Sequence, residues 1–254
     1  MENPTKKLVI IPTYNEIENI RAIIEAVLSL EELFDILIVD DNSPDGTAQE
    51  VKKLMTEHPE RVFILERSGK LGLGTAYITG FKWALEQNYD FITEMDADFS
   101  HNPKDLPKLL KACQEGGADV AIGSRYIKGV NVVNWPLGRV LMSYFASIYV
   151  RIITGMKIHD ATAGFVCYRS EVLRTMNLDE IHFKGYAFQI EMKYTAKLCG
   201  FKLVEVPIVF VNRVRGSSKM NSSIFGEAFL GVMKLRWWGW TKKYPQKGKK
   251  MLEA

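Results

Sequence analysis

Apolar runs that each close abruptly on a polar tract constrain this chain most. Leu8-Val9-Ile10-Ile11 stops at Pro12-Thr13-Tyr14-Asn15-Glu16, and Phe34–Val39 stops at Asp40-Asp41-Asn42-Ser43-Pro44-Asp45-Gly46. Phe91-Ile92-Thr93-Glu94-Met95 stops at Asp96-Ala97-Asp98. Between the runs, apolar residues recur at helical spacing, as Ile20, Ile23, Ile24, Val27 and Leu28 do in a helix expected over Glu16–Leu30 with Asn15 as its cap. Strands apolar on both faces, alternating with amphipathic helices, predict a doubly wound, mostly parallel α/β sheet. Loops that follow successive strands of such a sheet gather on its carboxyl edge, where ligands bind.

The same alternation continues through helices at Thr47 to about Glu57, after Gly74 to Gln87, and Pro103–Glu115. Strands are expected at Arg61–Leu65, Asp119–Ser124 and Val204–Val211. The 254 residues fit one large domain over 1–222, followed by an amphipathic helix and basic tail over 223–254. A net charge of +3 is too balanced to argue for a nucleic-acid partner. Cys113, Cys167 and Cys199 are scattered and make no Cys-x-x-Cys, which argues for reduced thiols in a cytosolic setting and against zinc. Met1 to Lys7 is polar and runs straight into a strand, so no signal peptide is expected. No run reaches the roughly 18–20 uninterrupted apolar residues of a membrane span, so the chain is expected to be cytoplasmic and soluble or peripheral.

Asp96 and Asp98 are two residues apart at a strand end, which turns both side chains toward one side. Such a pair offers oxygen ligands to a hard divalent cation, and a cation there neutralises a diphosphate. The Tyr14 ring can stack on a nucleobase, and Glu16 and Asp41 can accept from ribose or base N–H groups, although read singly Tyr14 and Asp41 are ordinary turn and capping residues. Gly123-Ser124-Arg125-Tyr126 ends another strand on a cation. Arg213-Val214-Arg215-Gly216-Ser217-Ser218-Lys219 is a basic Gly/Ser loop suited to closing over phosphates. The Gly69–Gly74 loop lacks the Gly-Lys-Ser/Thr of a phosphate loop and reads as a tight turn before a helix.

Two later segments carry an apolar face. Leu137–Ile153 places Arg139, Ser143, Ser147 and Arg151 on one polar stripe. Ile224–Trp240 ends in Trp237, Trp238 and Trp240, with Lys234, Arg236, Lys242 and Lys243 around them. Aromatic and basic residues beside an apolar face suit a helix lying in a lipid interface.

Taken in order, the motifs Pro12–Glu16, Asp40–Thr47, Lys70–Tyr77, Met95–His101 and Gly123–Tyr126 resemble the family 2 glycosyltransferases of the GT-A fold. Phe183–Glu191, Glu205-Val206-Pro207-Ile208 and Arg213…Lys219 narrow the resemblance to the polyprenol (dolichol) monophosphate mannose synthases of the short form, without membrane-spanning helices. The resemblance implies GDP-mannose as donor, a polyprenyl phosphate lipid as acceptor, and Mg²⁺ or Mn²⁺ as cofactor. By position, it implies that Pro12, Tyr14, Glu16, Val39 and Asp41 hold the nucleoside, and that Asp96, Ala97 and Asp98 meet the diphosphate. Asp96, Asp98 and Ser100 would take the metal, Ser100 standing where some relatives have Gln. Arg125 would face the sugar or the acceptor phosphate, and Arg213 and Lys219 the diphosphate. Asp98, Arg125 and Arg213 are then the catalytic set. Alternatives are transfer from UDP-glucose to the same acceptor, and a non-catalytic nucleotide-sugar-binding membrane adaptor. A nucleotidyltransferase would want a Gly-rich loop where Tyr14 and Asn15 stand.

Overall fold

The computed structural model describes residues 5–212 and 224–248. In chain order the elements are β1 Lys7–Thr13, α1 Ile20–Leu28, β2 Asp35–Asp40, α2 Thr47–Glu57, β3 Val62–Glu66, α3 Leu73–Glu86 and β4 Phe91–Glu94. There follow α4 Leu106–Gln114, β5 Val120–Ser124, β6 Val132–Val133, α5 Leu137–Thr154, β7 Val166–Arg169 and α6 Ser170–Thr175. The chain closes with α7 Tyr186–Leu198, β8 Leu203–Pro207, β9 Phe210–Val211 and α8 Ile224–Thr241.

Seven strands form one sheet in the order β3-β2-β1-β4-β7-β5-β8, and β6 pairs with β9 in a small parallel ribbon. β7 runs antiparallel to both β4 and β5, while the remaining pairs of the large sheet are parallel. Leu8, Val9, Ile10 and Ile11 are all fully buried, as a strand covered on both faces requires. Their side chains divide by parity: Leu8 and Ile10 join the core beneath α3 and α7, and Val9 and Ile11 the core beneath α1, α2 and α4. The expected α/β architecture is therefore the one observed.

Some boundaries move, for local reasons. α1 begins at Ile20 rather than Glu16, because the amides of Asn15, Glu16 and Ile17 donate to Ser43 Oγ, Thr47 Oγ1 and Asp45 Oδ2 of the next loop. Asn15 itself sits at φ 56° and caps nothing. The strand expected over Val204–Val211 divides at Pro207: Ile208 N donates back to Ser124 O, and Phe210–Val211 leaves to pair with β6. A short 3-10 turn at Pro103–Asp105 precedes α4.

α5 and α8 pack on one another through Tyr149, whose ring stacks on Phe229 at 4.7 Å and whose hydroxyl donates to the Phe229 carbonyl. α8 also enters the main core through Val232 and Leu235. Outward, the pair leaves Leu141, Phe145, Ile152, Leu230, Trp237 and Trp240 exposed. By length and composition α5 reaches membrane-span dimensions even with Arg139 and Arg151 inside it, and 17% of that window is buried.

Candidate active site

Three clusters line the carboxyl edge. The first joins the ends of β1, β2 and β3. Asp40 is fully buried and accepts from Thr13 Oγ1 at 2.7 Å, Ser43 Oγ at 2.6 Å and Ser43 N at 2.8 Å, so it staples two turns together. Asp41 points the other way and meets Arg67, whose Nη2 and Nε stand 2.5 and 2.6 Å from Oδ1. Burial raises the Asp41 carboxyl, and Arg67 opposes the rise. Arg67 also donates from Nη1 to Thr75 Oγ1 at 2.7 Å, which fixes the first turn of α3. Sequence reading missed Arg67, since nothing local marks its partner 26 residues away.

Tyr14 lies half-buried beneath Lys70, whose ammonium is 5.2 Å from the ring centroid. Glu16 accepts from Asn19 Nδ2 at 3.0 Å. Pro12 is half-buried at the end of β1. Val39 is fully buried, with a methyl 3.4 Å from where a Cβ would stand at Gly80, so its side chain serves the core. Gly80 in turn lets α3 approach Ile10 more closely than any side chain would permit.

The second cluster follows β4. Met95 and Ala97 are buried, while the Asp96 side chain is 41% exposed. Asp98 is buried and accepts from Ser100 N at 3.0 Å, a bond made possible by the left-handed turn at Phe99, φ 58°. His101 is buried, stacked on Phe165 and edge-on to Phe210. Its Nδ1 accepts from Asp96 N at 3.3 Å, and burial lowers its pKa to about 4, so the ring is neutral near pH 7. Ser100 Oγ is buried with no hydrogen-bond partner among the described residues. Asp96, Asp98 and Ser100 carry oxygen donors of the kind Mg²⁺ or Mn²⁺ takes, Ser100 with a buried hydroxyl, while no group of three His, Cys, Asp or Glu gathers around one point among the described residues.

The third cluster, at the end of β5, is built around Arg125. Its Nε and Nη2 meet Asp160 Oδ2 and Oδ1 at 2.6 Å each, its backbone N–H meets Oδ2 at 3.0 Å, and Nη2 reaches Thr162 Oγ1 at 2.8 Å. Asp160 is held in turn by Glu205 Oε1, which accepts from its backbone N–H at 2.9 Å. Arg125 and Arg139 flank the Trp135 ring at 5.5 and 4.1 Å. Asp160 escaped sequence reading because its partner lies 35 residues upstream. β9 ties the second and third clusters together, as Val211 N donates to Ser100 O at 3.2 Å and Phe210 N to Asn131 O at 2.9 Å. Tyr14, Glu16, Asp41, Asp96, Asp98, Ser100 and Arg125 therefore share one edge, while Arg213 and Lys219 lie outside the described residues.

The family model for glycosyl transferase family 2 matches residues 8–176. An undecaprenyl-phosphate mannosyltransferase of Micrococcus luteus is 46% identical over 232 residues, 91% of this chain and 93% of that protein. A polyprenol monophosphomannose synthase of Mycolicibacterium smegmatis is 47% identical over 237 residues, 93% of this chain and 88% of that protein. Among solved structures, a glucosyl-3-phosphoglycerate synthase from Mycobacterium tuberculosis, in complex with Mn²⁺ and UDP-glucose, superposes with a TM-score of 0.66 at 15% identity, over 92% of this chain and 80% of that one. A mannosyltransferase from Pyrobaculum calidifontis, in complex with GDP-Man and Mn²⁺, superposes with a TM-score of 0.57 at 15% identity, over 94% and 72%. These last two likenesses concern the fold. With its GT-A sheet and its motifs in order along one edge, the chain belongs to glycosyl transferase family 2 and is a hexosyltransferase.

Proposed function

We propose that this enzyme transfers mannose from GDP-mannose to a polyprenyl phosphate at a membrane surface, with inversion at the anomeric carbon. The observation that carries the reading is identity of 46% and 47%, over nearly whole chains, to relatives named for mannose and polyprenyl phosphate. A phosphate oxygen of the acceptor attacks C1 of the mannose, the bond from C1 to the β-phosphate oxygen breaks, and GDP leaves with the electron pair. The acceptor is a phosphate monoester whose second pKa is about 6, so it is largely dianionic near neutral pH and needs no general base. Placement of the acceptor is what this edge must provide.

The first cluster takes the nucleoside: Tyr14 offers its ring and Asp41, steadied by Arg67, its second carboxylate oxygen. Asp96 and Asp98, with Ser100, would hold a divalent cation, which would supply charge neutralisation for the diphosphate. Arg213 and Lys219 are proposed to add positive charge to the same diphosphate. Arg125, locked in plane by Asp160, and Arg139, beside it on Trp135, present guanidinium groups where the loop after β5 enters α5. The exposed apolar face of α5 begins there, with Leu137 and Leu141, which suits an acceptor that is phosphate at one end and hydrocarbon at the other. Lys234 and Lys242 over Trp238, and Arg236 over Trp240, suit an anionic headgroup layer on the cytoplasmic face.

The test is incubation with polyprenyl phosphate, Mg²⁺ or Mn²⁺, and labelled GDP-mannose or UDP-glucose in parallel. Labelled lipid from GDP-mannose alone is the expected result. Label from UDP-glucose overturns the donor, and binding of nucleotide without transfer to lipid overturns the acceptor.

A further inference from the structure

Beneath the edge lies a set of buried charges that the transfer itself does not use. Glu94, the last residue of β4, and Lys193, in the middle of α7, both have no solvent exposure. Neither touches the other. Gln189 stands between them: its Nε2 donates to Glu94 Oε2 at 2.7 Å, and its Oε1 accepts from Lys193 Nζ at 3.2 Å. Lys193 uses its remaining protons on two backbone carbonyls, Gln189 O at 3.1 Å and Ala163 O at 2.6 Å. One amide side chain thus bridges an acid and a base across the interface of sheet and helix.

The path does not stop at Ala163. Its amide donates to Asp160 O at 3.4 Å, and Asp160 and Thr162 together grip Arg125. Glu94, Lys193, Asp160 and Arg125 are four buried ionisable groups that alternate acid and base along this path, and burial pushes the Glu94 carboxyl up to about 8. Burial works against charge on Lys193, and Glu94 and Asp160 work for it. A group so expensive to bury persists only where its hydrogen bonds are satisfied. Lys193 meets that condition with acceptors on two different segments, the 160–164 turn and its own helix. At the other end, Glu94 stands two residues before Asp96, in the strand that delivers the carboxylate pair.

We propose that Glu94, Gln189 and Lys193 form a positioning relay that fixes the Ala163 carbonyl, and through it the Asp160–Arg125 grip, at a set distance from the strand carrying Asp96 and Asp98. Lys193 is a positioning residue for the acceptor half of the reaction. The inference goes beyond the functional reading and rests on it only for the identity of the acceptor. Cutting the relay lets the 160–164 turn drift, which misplaces Arg125 while leaving the nucleoside cluster untouched. Displacements on the order of 1 Å at a distance from the chemistry lower turnover by up to about a hundredfold.

Three variants test this. Lys193→Met removes the ammonium, Glu94→Gln with Lys193→Met removes both ionisable groups together, and Gln189→Met cuts the bridge while leaving both in place. Each is assayed for GDP affinity, for acceptor KM and kcat, and for melting temperature. The Arg125 Nε–H resonance reports the grip directly in 15N-labelled protein. Expected for Gln189→Met and for the double variant are near-normal GDP affinity, acceptor kcat/KM lowered about tenfold or more, and a shifted Arg125 resonance. The double variant does not recover the turnover lost in Lys193→Met. Wild-type acceptor kinetics in folded Gln189→Met overturn the relay, as does full recovery of turnover in the double variant. Equal loss of GDP affinity and acceptor turnover overturns it as well. Should Lys193→Met fail to fold, the other two carry the decision. If wild-type protein transfers nothing to polyprenyl phosphate, the functional reading fails, while the Arg125 resonance still decides the relay.

Discussion

Arg125 and Asp160 form a forked ion pair in the interior, with both carboxylate oxygens 2.6 Å from guanidinium nitrogens and neither residue more than 8% exposed. Burial alone raises the Asp160 carboxyl, but the charge and hydrogen bonds of Arg125 outweigh it and hold the group below the usual carboxylate range. The stability this contributes is fully present above the unfolded carboxyl pKa, about 3.9, and is lost as pH falls through the lower folded value. Asp160→Asn removes the charge, keeps the shape, and leaves Arg125 buried and unmatched. Breaking one side of such a pair costs about 3–5 kcal/mol, so the variant is expected to melt many degrees lower and to lose the share of acid-side pH dependence that Asp160 carries, both readable by thermal denaturation from neutral pH down through the unfolded carboxyl value.

Asp98 carries the heaviest demand at the second cluster. Asp98→Ala is expected to abolish transfer while leaving the fold intact, because the strand beneath it is held by Met95 and Ala97 in the core. Treatment of the wild-type protein with a chelator is expected to do the same, with activity returning on addition of Mg²⁺ or Mn²⁺. A metal-stripped enzyme at full rate excludes the cation from this mechanism.

Arg67→Met separates Asp41 from its partner and unties the start of α3. Burial then acts on the Asp41 carboxyl with only the Leu71 backbone amide against it and pushes it further up. Weaker nucleotide binding, by about tenfold, is expected from the loss of one charged hydrogen-bonding partner. Titration calorimetry with GDP measures it, and an unchanged affinity removes Asp41 from the nucleoside site.

The outer face of α5 and α8 is open to a different test. Phe145 and Trp240 are 61% and 67% exposed, so replacing both by Ser is expected to shift stability by no more than about 0.5 kcal/mol per site. Flotation with anionic liposomes is expected to fall sharply, while transfer to a short, water-soluble polyprenyl phosphate persists. Undiminished flotation would remove these helices from the membrane contact.

Much of this molecule is legible in its sequence where the signal is local. β1, β2 and β4 announce themselves because strands buried on both faces are apolar throughout, and each ends on the residues that later line the edge. α5 is plain from its polar stripe at helical spacing. β7 is not, because Val166–Arg169 is short, and the direction of a strand leaves no trace in its composition. The partners Arg67, Asp160, Gln189 and Lys193 share that obscurity. Each is ordinary by type, and acquires meaning only from a residue dozens of positions away. Asn15 illustrates the converse: it has the chemistry of a cap, but three amides beside it find better acceptors in the neighbouring loop.

The reversed strand has a consequence for how the protein comes into being. β3, β2, β1 and β4 are contributed by residues 7–94, and their edge is spelled out within the first hundred positions. β7 pairs Cys167 with Thr93 on one side and Ala121 on the other, so it closes the two halves of the sheet only after most of the chain has been made. Distant pairings of this kind are slow to form because chain entropy is lost before contacts are gained. During synthesis the ends of β1, β2, β3 and β4 are outside the ribosome well before Asp160 emerges to seat Arg125, so the cluster at the end of β5 matures after the two that precede it.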